Sequence, residues 1–334
     1  MPMHSLTVVK KVSKHTVFCL AAAAGCGMAQ AQSTYPSHLI TLVSAYPAGG
    51  VTDTAGRIAG EILTEKLGQP AMLENKPGAS GMIGKQYVAR AKPDGYTLSA
   101  GGLGGNVIPA VTMKGLPLDV AKDFAPVAGI AGFANVLVVG PNSPANSAKE
   151  LVEYARKKGT VTAGTNGIGT SAHLTTELFA LRTGIKFDHV PYKGGSEAQI
   201  GISNGDLDFG FANMTSAVPM IKAGKLKALA VTGDARVEQL PSVPTMEEAG
   251  FSDFVVTSWL GIYAPAATPP EVVKKLGDTI SAGMKEEKYI AKAKAAGMVP
   301  MPMNAEDFAA FNAAELKRWG DIAKQAHVSI DFGK

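Results

Sequence analysis

The sequence predicts an α/β protein of two domains joined by two strands, and three observations predict it. At 334 residues, 46% of them hydrophobic and 18% charged, the chain has ordinary folded-protein composition and length for two cores rather than one. Short apolar runs alternate with stretches of helical period, and glycine-rich turns separate them. Two apolar strands, at residues 135–140 and 258–264, read as an outward and a return crossing between domains.

The first unit sets the pattern. Residues 38–45 are rich in Ile, Leu and Val and run into Tyr46-Pro47-Ala48-Gly49-Gly50, a buried strand followed by a tight turn. A helix follows, with Ala55, Ile58, Ala59, Ile62, Leu63 and Leu67 at steps of three and four, Thr52 or Asp53 as its cap and Gly68 as its end. The same grammar gives a strand at 71–74, a helix at 82–91, a turn at Pro93-Asp94-Gly95 and a strand at 96–100. After the crossing, Ser147-Ala148-Lys149-Glu150 is a capping box that opens a helix to Lys158, and 161–164 is a strand. Strands at 208–212 and 227–231 enclose a helix near 216–222. Thr268-Pro269-Pro270 starts a helix after the return crossing, and Asn304 caps a long helix from Ala305 to about His327. The domains expected are 32–134 with 260–334, and 135–259.

Residues 1–31 read as an export signal, with Lys10, Lys11 and Lys14 before an apolar run at 17–25 and Ala29-Gln30-Ala31 as the cleavage site, so that the mature chain starts at Gln32. The run is about half of the roughly 20 residues a membrane span needs. Lipidation at Cys26 is the weaker alternative, because Ala23 stands where a larger aliphatic is usual. Both cysteines, Cys19 and Cys26, fall in this segment, so the mature chain expects no disulfide and a periplasmic location. Without the three lysines the formal charge drops from +4 to +1, which leaves no basic face for nucleic acid.

The strongest local motif is Pro47-Ala48-Gly49-Gly50-Val51-Thr52-Asp53, where glycines turn the backbone so that amides at a helix start face an anion. It also reads as a plain strand-to-helix connection. A second junction, Gly164 to Leu174, adds the hydroxyls of Thr165, Thr170 and Ser171; Ser171 reads equally as a helix cap and His173 as a packed residue. Facing each other, the two junctions would clamp a carboxylate. Gly78 to Gln86 departs from a P-loop at Ala79 and at Gln86, which follows Gly84-Lys85 where a magnesium-binding hydroxyl belongs. His38, His173, His189 and His327 have no metal-ligand spacing, and Ser171 with His173 forms no nucleophile elbow. No cofactor and no metal are expected.

The mature chain resembles the Bug receptors, the solute-binding components of tripartite tricarboxylate transporters. The resemblance rests on Tyr46 to Gly50 with Asp53, Glu74-Asn75-Lys76-Pro77-Gly78-Ala79, Pro93-Asp94-Gly95-Tyr96-Thr97-Leu98, the turn at 169–174 and Val190-Pro191-Tyr192-Lys193-Gly194. It continues through Ile221 to Leu226, Leu240 to Thr245, and Trp259 with Ala264-Pro265-Ala266. It implies a two-domain periplasmic binding protein fold (Venus flytrap, type II), each domain a mixed, mostly parallel sheet flanked by helices, with two crossover strands.

The resemblance also implies that backbone amides and ordered water hold the ligand's carboxylate. Carried over, the ligand-binding residues are Ala48, Gly49, Gly50, Val51, Thr52 and Asp53 on one jaw, and Thr165, Gly169, Thr170, Ser171 and His173 on the other. Tyr46 stands where the family more often has Phe, Asn213 where it commonly has Asp, and the loop from Gly101 to Asn106 is richer in glycine than usual; Tyr46, Asn106 and Asn213 join the expected site. The function expected is a non-enzymatic, monomeric receptor that captures a small carboxylate (a di- or tricarboxylate, an acidic amino acid or an aromatic acid) and passes it to permease subunits. Docking on a sensor kinase, or an enzyme acting on a carboxylate, are the alternatives.

Overall fold

The computed structural model describes Met1 and residues 35–168, 170–325 and 329–332. The expected signal segment with its cleavage site and both cysteines, and also Gly169 and His327, lie outside the described residues. The chain packs as two compact units, Met1–Ser37 and His38–Lys334, and every described helix and strand belongs to the second.

In chain order the elements are β1 (Ile40–Ser44), α1 (Val51–Leu67), β2 (Ala71–Asn75), α2 (Met82–Ala89), β3 (Thr97–Gly102), α3 (Ile108–Thr112), β4 (Met113–Lys114) and β5 (Phe124–Val139). They continue with α4 (Ala148–Lys158), β6 (Thr160–Thr165), α5 (Ser171–Thr183), β7 (Lys186–Pro191), α6 (Gly195–Asn204), β8 (Phe209–Asn213), α7 (Met214–Lys222) and β9 (Lys227–Val231). The last are β10 (Thr257–Pro265), α8 (Pro270–Gly283), α9 (Glu287–Ala295), β11 (Val299–Met303), α10 (Ala305–Gln325) and β12 (Ile330–Asp331). A π-helical turn, Leu103–Val107, joins β3 to α3.

The long strand β5 organises the sheet. Its first part, Phe124 to Ala134, pairs antiparallel with β10, and its last part, Asn135 to Val139, pairs antiparallel with β8 and β9. It therefore changes partners between Ala134 and Asn135. The chain crosses back just before β10, where the Val256 amide still bonds to Thr232 O. Around these crossings each region has a parallel set, β2-β1-β3 in one and β7-β6-β8 in the other. The sequence placed only 135–140 in this strand, because residues 125–134 are rich in alanine and glycine and lack β-branched patterning.

Side chains alternate across β5. Val136 and Val138 pack in one buried cluster with Ile202, Leu207 and Met214, while Leu137 and Val139 pack in another with Phe209 and Phe211. Both faces are covered, so the strand reads as a continuous apolar run rather than an alternating one. Phe179 of α5 is fully buried and packs edge-on against Phe209, Phe211 and Phe254, which fixes the helix over the sheet.

Several local expectations hold, and two caps differ. Ser147 accepts the Glu150 amide at 3.2 Å while the Glu150 carboxylate accepts the Asn146 amide at 2.8 Å, and Asn304 Oδ1 accepts the Asp307 amide at 3.0 Å. Helix α1 begins two residues earlier than a Thr52 cap and three earlier than an Asp53 cap would start it, with Gly50 as an N-cap that offers no side chain. Helix α5 is capped by Thr170 rather than Ser171, Thr170 Oγ1 accepting the His173 amide at 3.4 Å. Among the described residues no helix is long and apolar enough to cross a membrane.

Candidate functional site

Strands β1 and β3 are parallel neighbours, so the loops at their carboxyl ends, Tyr46 to Gly50 and the π-helical turn, lie side by side. The carboxyl ends of β6, β7 and β8 face the same space from the other region. Such strand ends are where open α/β sheets bind ligands. A cavity of about 290 Å³ occupies the position, with Phe133 and Trp259 from the two crossing strands in its wall.

Four helices begin at this cavity. Gly50 to Thr52 bring the start of α1, Thr170 and Ser171 that of α5, Gly194 and Gly195 that of α6, and Asn213 with Ser216 that of α7. Helices α1, α6 and α7 have no side-chain cap. Their first-turn amides have no acceptor within the helix, and each helix dipole turns its positive end toward the same volume.

The glycine turn before α1 is braced from behind. Asp53 is 4% exposed; its carboxylate accepts the Gly49 amide at 3.2 Å, Asn75 Nδ2 at 2.9 Å, and Arg57 Nε and Nη2 at 3.0 and 3.1 Å. Burial pulls this carboxyl upward, but the Arg57, Asn75 and Gly49 hydrogen bonds outweigh it and hold it below the usual value. Asn75 also donates to Tyr46 O at 3.0 Å, which ties β2 to the loop. Gly49 takes a φ of 84°, a left-handed conformation that a side chain would strain.

Tyr46, Ala48, Gly49, Gly50, Val51, Thr52, Thr170, Ser171 and Asn213 all line the cavity. Asp53, Asn106, Thr165 and His173 do not. Asp53 supports the turn from below. Asn106 is 3% exposed, its Oδ1 accepting Lys85 Nζ at 3.0 Å and the Gly102 amide at 3.3 Å. Thr165 Oγ1 lies 2.6 Å from His189 Nε2, and the His189 ring stacks on His173 at 4.0 Å. Burial, then the neighbouring His173, push His189 down to about 4. His173 Nε2 also lies 3.3 Å from Glu177 Oε1, so this ring is committed behind α5 rather than to the cavity.

Other cavity residues had no site role in the sequence reading. Lys193 and Glu197 stand at the start of α6, and Asn166 lies in the turn before α5. The Gly194 junction repeats the strand, glycine and helix grammar, which was the signal available for it. Trp259 donates its Nε1 hydrogen to Glu315 Oε2 at 2.9 Å, and Trp319 donates to the same oxygen at 3.1 Å. No sequence signal links residues 259 and 315. Across the cavity, a Cβ added at Gly104 would lie 3.0 Å from the Ser171 nitrogen, so the turn after β3 touches the start of α5.

A family model described as the tripartite tricarboxylate transporter family receptor matches residues 55–328. The chain belongs to this family. BugT of Bordetella pertussis is 31% identical over 311 residues, 92% of this chain and 95% of that protein. The structure of R. palustris Rpa4515 with adipate has a TM-score of 0.84 at 33% identity, covering 89% of this chain and 99% of that one. That of MatC from Rhodopseudomonas palustris with bound malate has a TM-score of 0.80 at 28% identity, covering 86% and 99%. The two-domain periplasmic binding protein fold is shared with these structures.

Proposed function

We propose that this chain is an exported receptor that captures a small carboxylate in the cavity and delivers it to the permease subunits of a tripartite tricarboxylate transporter. The observation that carries this reading is the convergence of four helix N-termini on one cavity, three of them without a side-chain cap. Unpaired amides with aligned dipoles favour an anion and accept a carboxylate without demanding a particular carbon skeleton. Adipate in Rpa4515 and malate in MatC support the same ligand class.

The contacts proposed are the backbone of Ala48 to Thr52 on one jaw and Thr170, Ser171 and Asn213 on the other, with Tyr46 beside them. Asp53, Thr165 and His173 hold those surfaces in place. The jaws proposed are 32–134 with 260–334, and 135–259, hinged where β5 changes partners and just before β10. A ligand bridging both jaws favours the closed arrangement over the open one. A binder fits better than an enzyme: Ser171 reaches the cavity, while His173 does not line it and is stacked on His189. The signal at residues 1–31 would place the receptor in the periplasm.

Thermal unfolding of residues 32–334, stripped of bound solute and scanned against mono-, di- and tricarboxylates, tests the reading. A ligand at a hundred times its dissociation constant adds about 2.7 kcal/mol, a shift of several degrees. A response confined to one acid class identifies the solute. A flat response across all acids, with a shift from a neutral solute, refutes the carboxylate assignment.

A further inference from the structure

Lys85 on α2 is fully buried, and nothing described so far uses it. Among the described residues its ammonium has one hydrogen-bond acceptor, Asn106 Oδ1 at 3.0 Å, and beyond that only the Phe124 ring, 5.8 Å from the nitrogen to the ring centre. Asn106 gives the pair no further relief. Its Oδ1 is shared with the Gly102 amide, and its Nδ2 is a buried donor with no acceptor among the described residues. Two donor groups thus lie together with a single, doubly used acceptor, and a buried cation in that state is costly.

Their place in the fold says what can satisfy them. A Cβ added at Gly105 would lie 3.1 Å from Lys85 Nζ and 3.6 Å from the Tyr46 hydroxyl, and one at Gly101 would lie 2.1 Å from Asn106 Oδ1. Gly101, Gly105 and Tyr46 all line the cavity. The Lys85 ammonium and the Asn106 side chain therefore lie directly beneath a floor formed by Gly101 and Gly105, with the Tyr46 hydroxyl beside Gly105. That floor is the neighbour of the glycine turn that presents the α1 amides, because β1 and β3 are adjacent and parallel.

We propose that Lys85 is a specificity-determining residue of this receptor, the buried positive charge that an acidic end of the solute neutralises through the glycine floor, with Asn106 orienting it. This rests on the carboxylate reading above and deepens it: the site selects an oxyanion by charge as well as by amide geometry. Gly101, Gly105 and the lysine act together, since a Cβ at Gly105 would press on the ammonium at 3.1 Å and one at Gly101 on its Asn106 acceptor at 2.1 Å.

The elements packed against α2 make the charge easy to isolate. Strands β1 and β3 and the turn at Ala79–Gly81 carry no titratable side chain, and β10 carries Tyr263. Burial pushes Tyr263 well above its usual value and Tyr46 up to about 12, so both stay neutral between pH 6 and 9. Lys193 and Glu197 face the cavity from the opposite side. Burial alone pushes Lys85 down to about 7. A bound carboxylate favours the protonated form, so binding takes up a proton and affinity falls as pH rises through neutrality.

Calorimetric titration of wild type, Lys85→Met and Asn106→Asp with adipate, malate, glutamate and terephthalate, from pH 6.5 to 8.5, tests this. For the acid that binds wild type most tightly, the dissociation constant should rise about twentyfold across that range, following the protonated fraction of Lys85. Lys85→Met should bind at least about tenfold more weakly at pH 6.5 and show no slope. Asn106→Asp supplies an internal counter-charge and should also remove the slope; it decides the matter if Lys85→Met fails to fold. Wild-type affinity and slope retained in Lys85→Met, or the slope retained in Asn106→Asp, overturn the role of Lys85 and leave the receptor reading intact. Failure of wild type to bind any of these four acids or any other acid of the scan above, with binding of a neutral solute, overturns the carboxylate reading and this proposal with it.

Discussion

Gly104 offers the most direct test of whether the two sides of the cavity meet in the ligand-holding state. The three atoms nearest to a Cβ built there all belong to Thr170 and Ser171, at 3.0 to 3.6 Å, and its φ is not in the left-handed region. Alanine at 104 therefore presses lightly on the start of α5, and valine, with two further carbons, cannot fit without separating the surfaces. Overpacking of this size costs about 1–3 kcal/mol. Under the jaw motion proposed above, opening relieves it, and the penalty falls on the closed form and not on either jaw's own folding. A shift of about 2 kcal/mol against the closed form weakens the ligand about thirtyfold. Calorimetry with the acid that the carboxylate scan selects should give a graded loss, small for Gly104→Ala and large for Gly104→Val. X-ray scattering should show a larger radius of gyration for the valine variant with ligand present, and melting of the ligand-free protein should change by little. Affinity within twofold of wild type in both variants would refute the reasoning, because it would mean that the contact between Gly104 and Ser171 is not part of the binding state.

Other positions give further expectations. Gly49→Ala forces a side chain into a φ of 84° at a cost of about 1–2 kcal/mol and should lower both melting temperature and affinity, whereas Gly50→Ala, with nothing nearer than 3.8 Å, should melt as wild type does. Glu315→Ala leaves the buried indole N–H groups of Trp259 and Trp319 without their acceptor, a loss of about 3 kcal/mol that denaturant unfolding will register. The His189 ring is held at about 4 in the fold against 6.5 when free, so the unfolded chain binds the proton more readily. Stability from this ring is full above about pH 6.5 and is lost as pH falls toward 4; His189→Gln should shrink the drop in melting temperature between pH 6.5 and 4.5.

How far the sequence reached can be judged from particular residues. The strand, turn and helix from Ile40 to Leu67 was legible because every cue in it is local: an apolar run, paired glycines and a helical period ending at a glycine. The capping box at Ser147 and the cap at Asn304 were legible for the same reason. Strand β7 and helices α6 and α9 were not placed, because polar residues in the first and short, glycine- or lysine-rich periods in the others give weak patterns. Four of the expected site residues, Asp53, Asn106, Thr165 and His173, do not reach the cavity. Their spacing put them in the right loops, but burial and partners such as Arg57, Lys85 and His189 turned them inward.

By itself, then, the sequence determined the alternation of strands and helices, the glycine turns that start α1 and α5, and the resemblance that named the family, since each is written in neighbouring residues. Only the tertiary structure decided that four helix starts open on one cavity, that Glu315 anchors Trp259 from 56 residues away, and that Lys85 lies beneath a glycine floor. Those depend on which strand ends become neighbours in the folded sheet, a property of long-range pairing that no local pattern encodes.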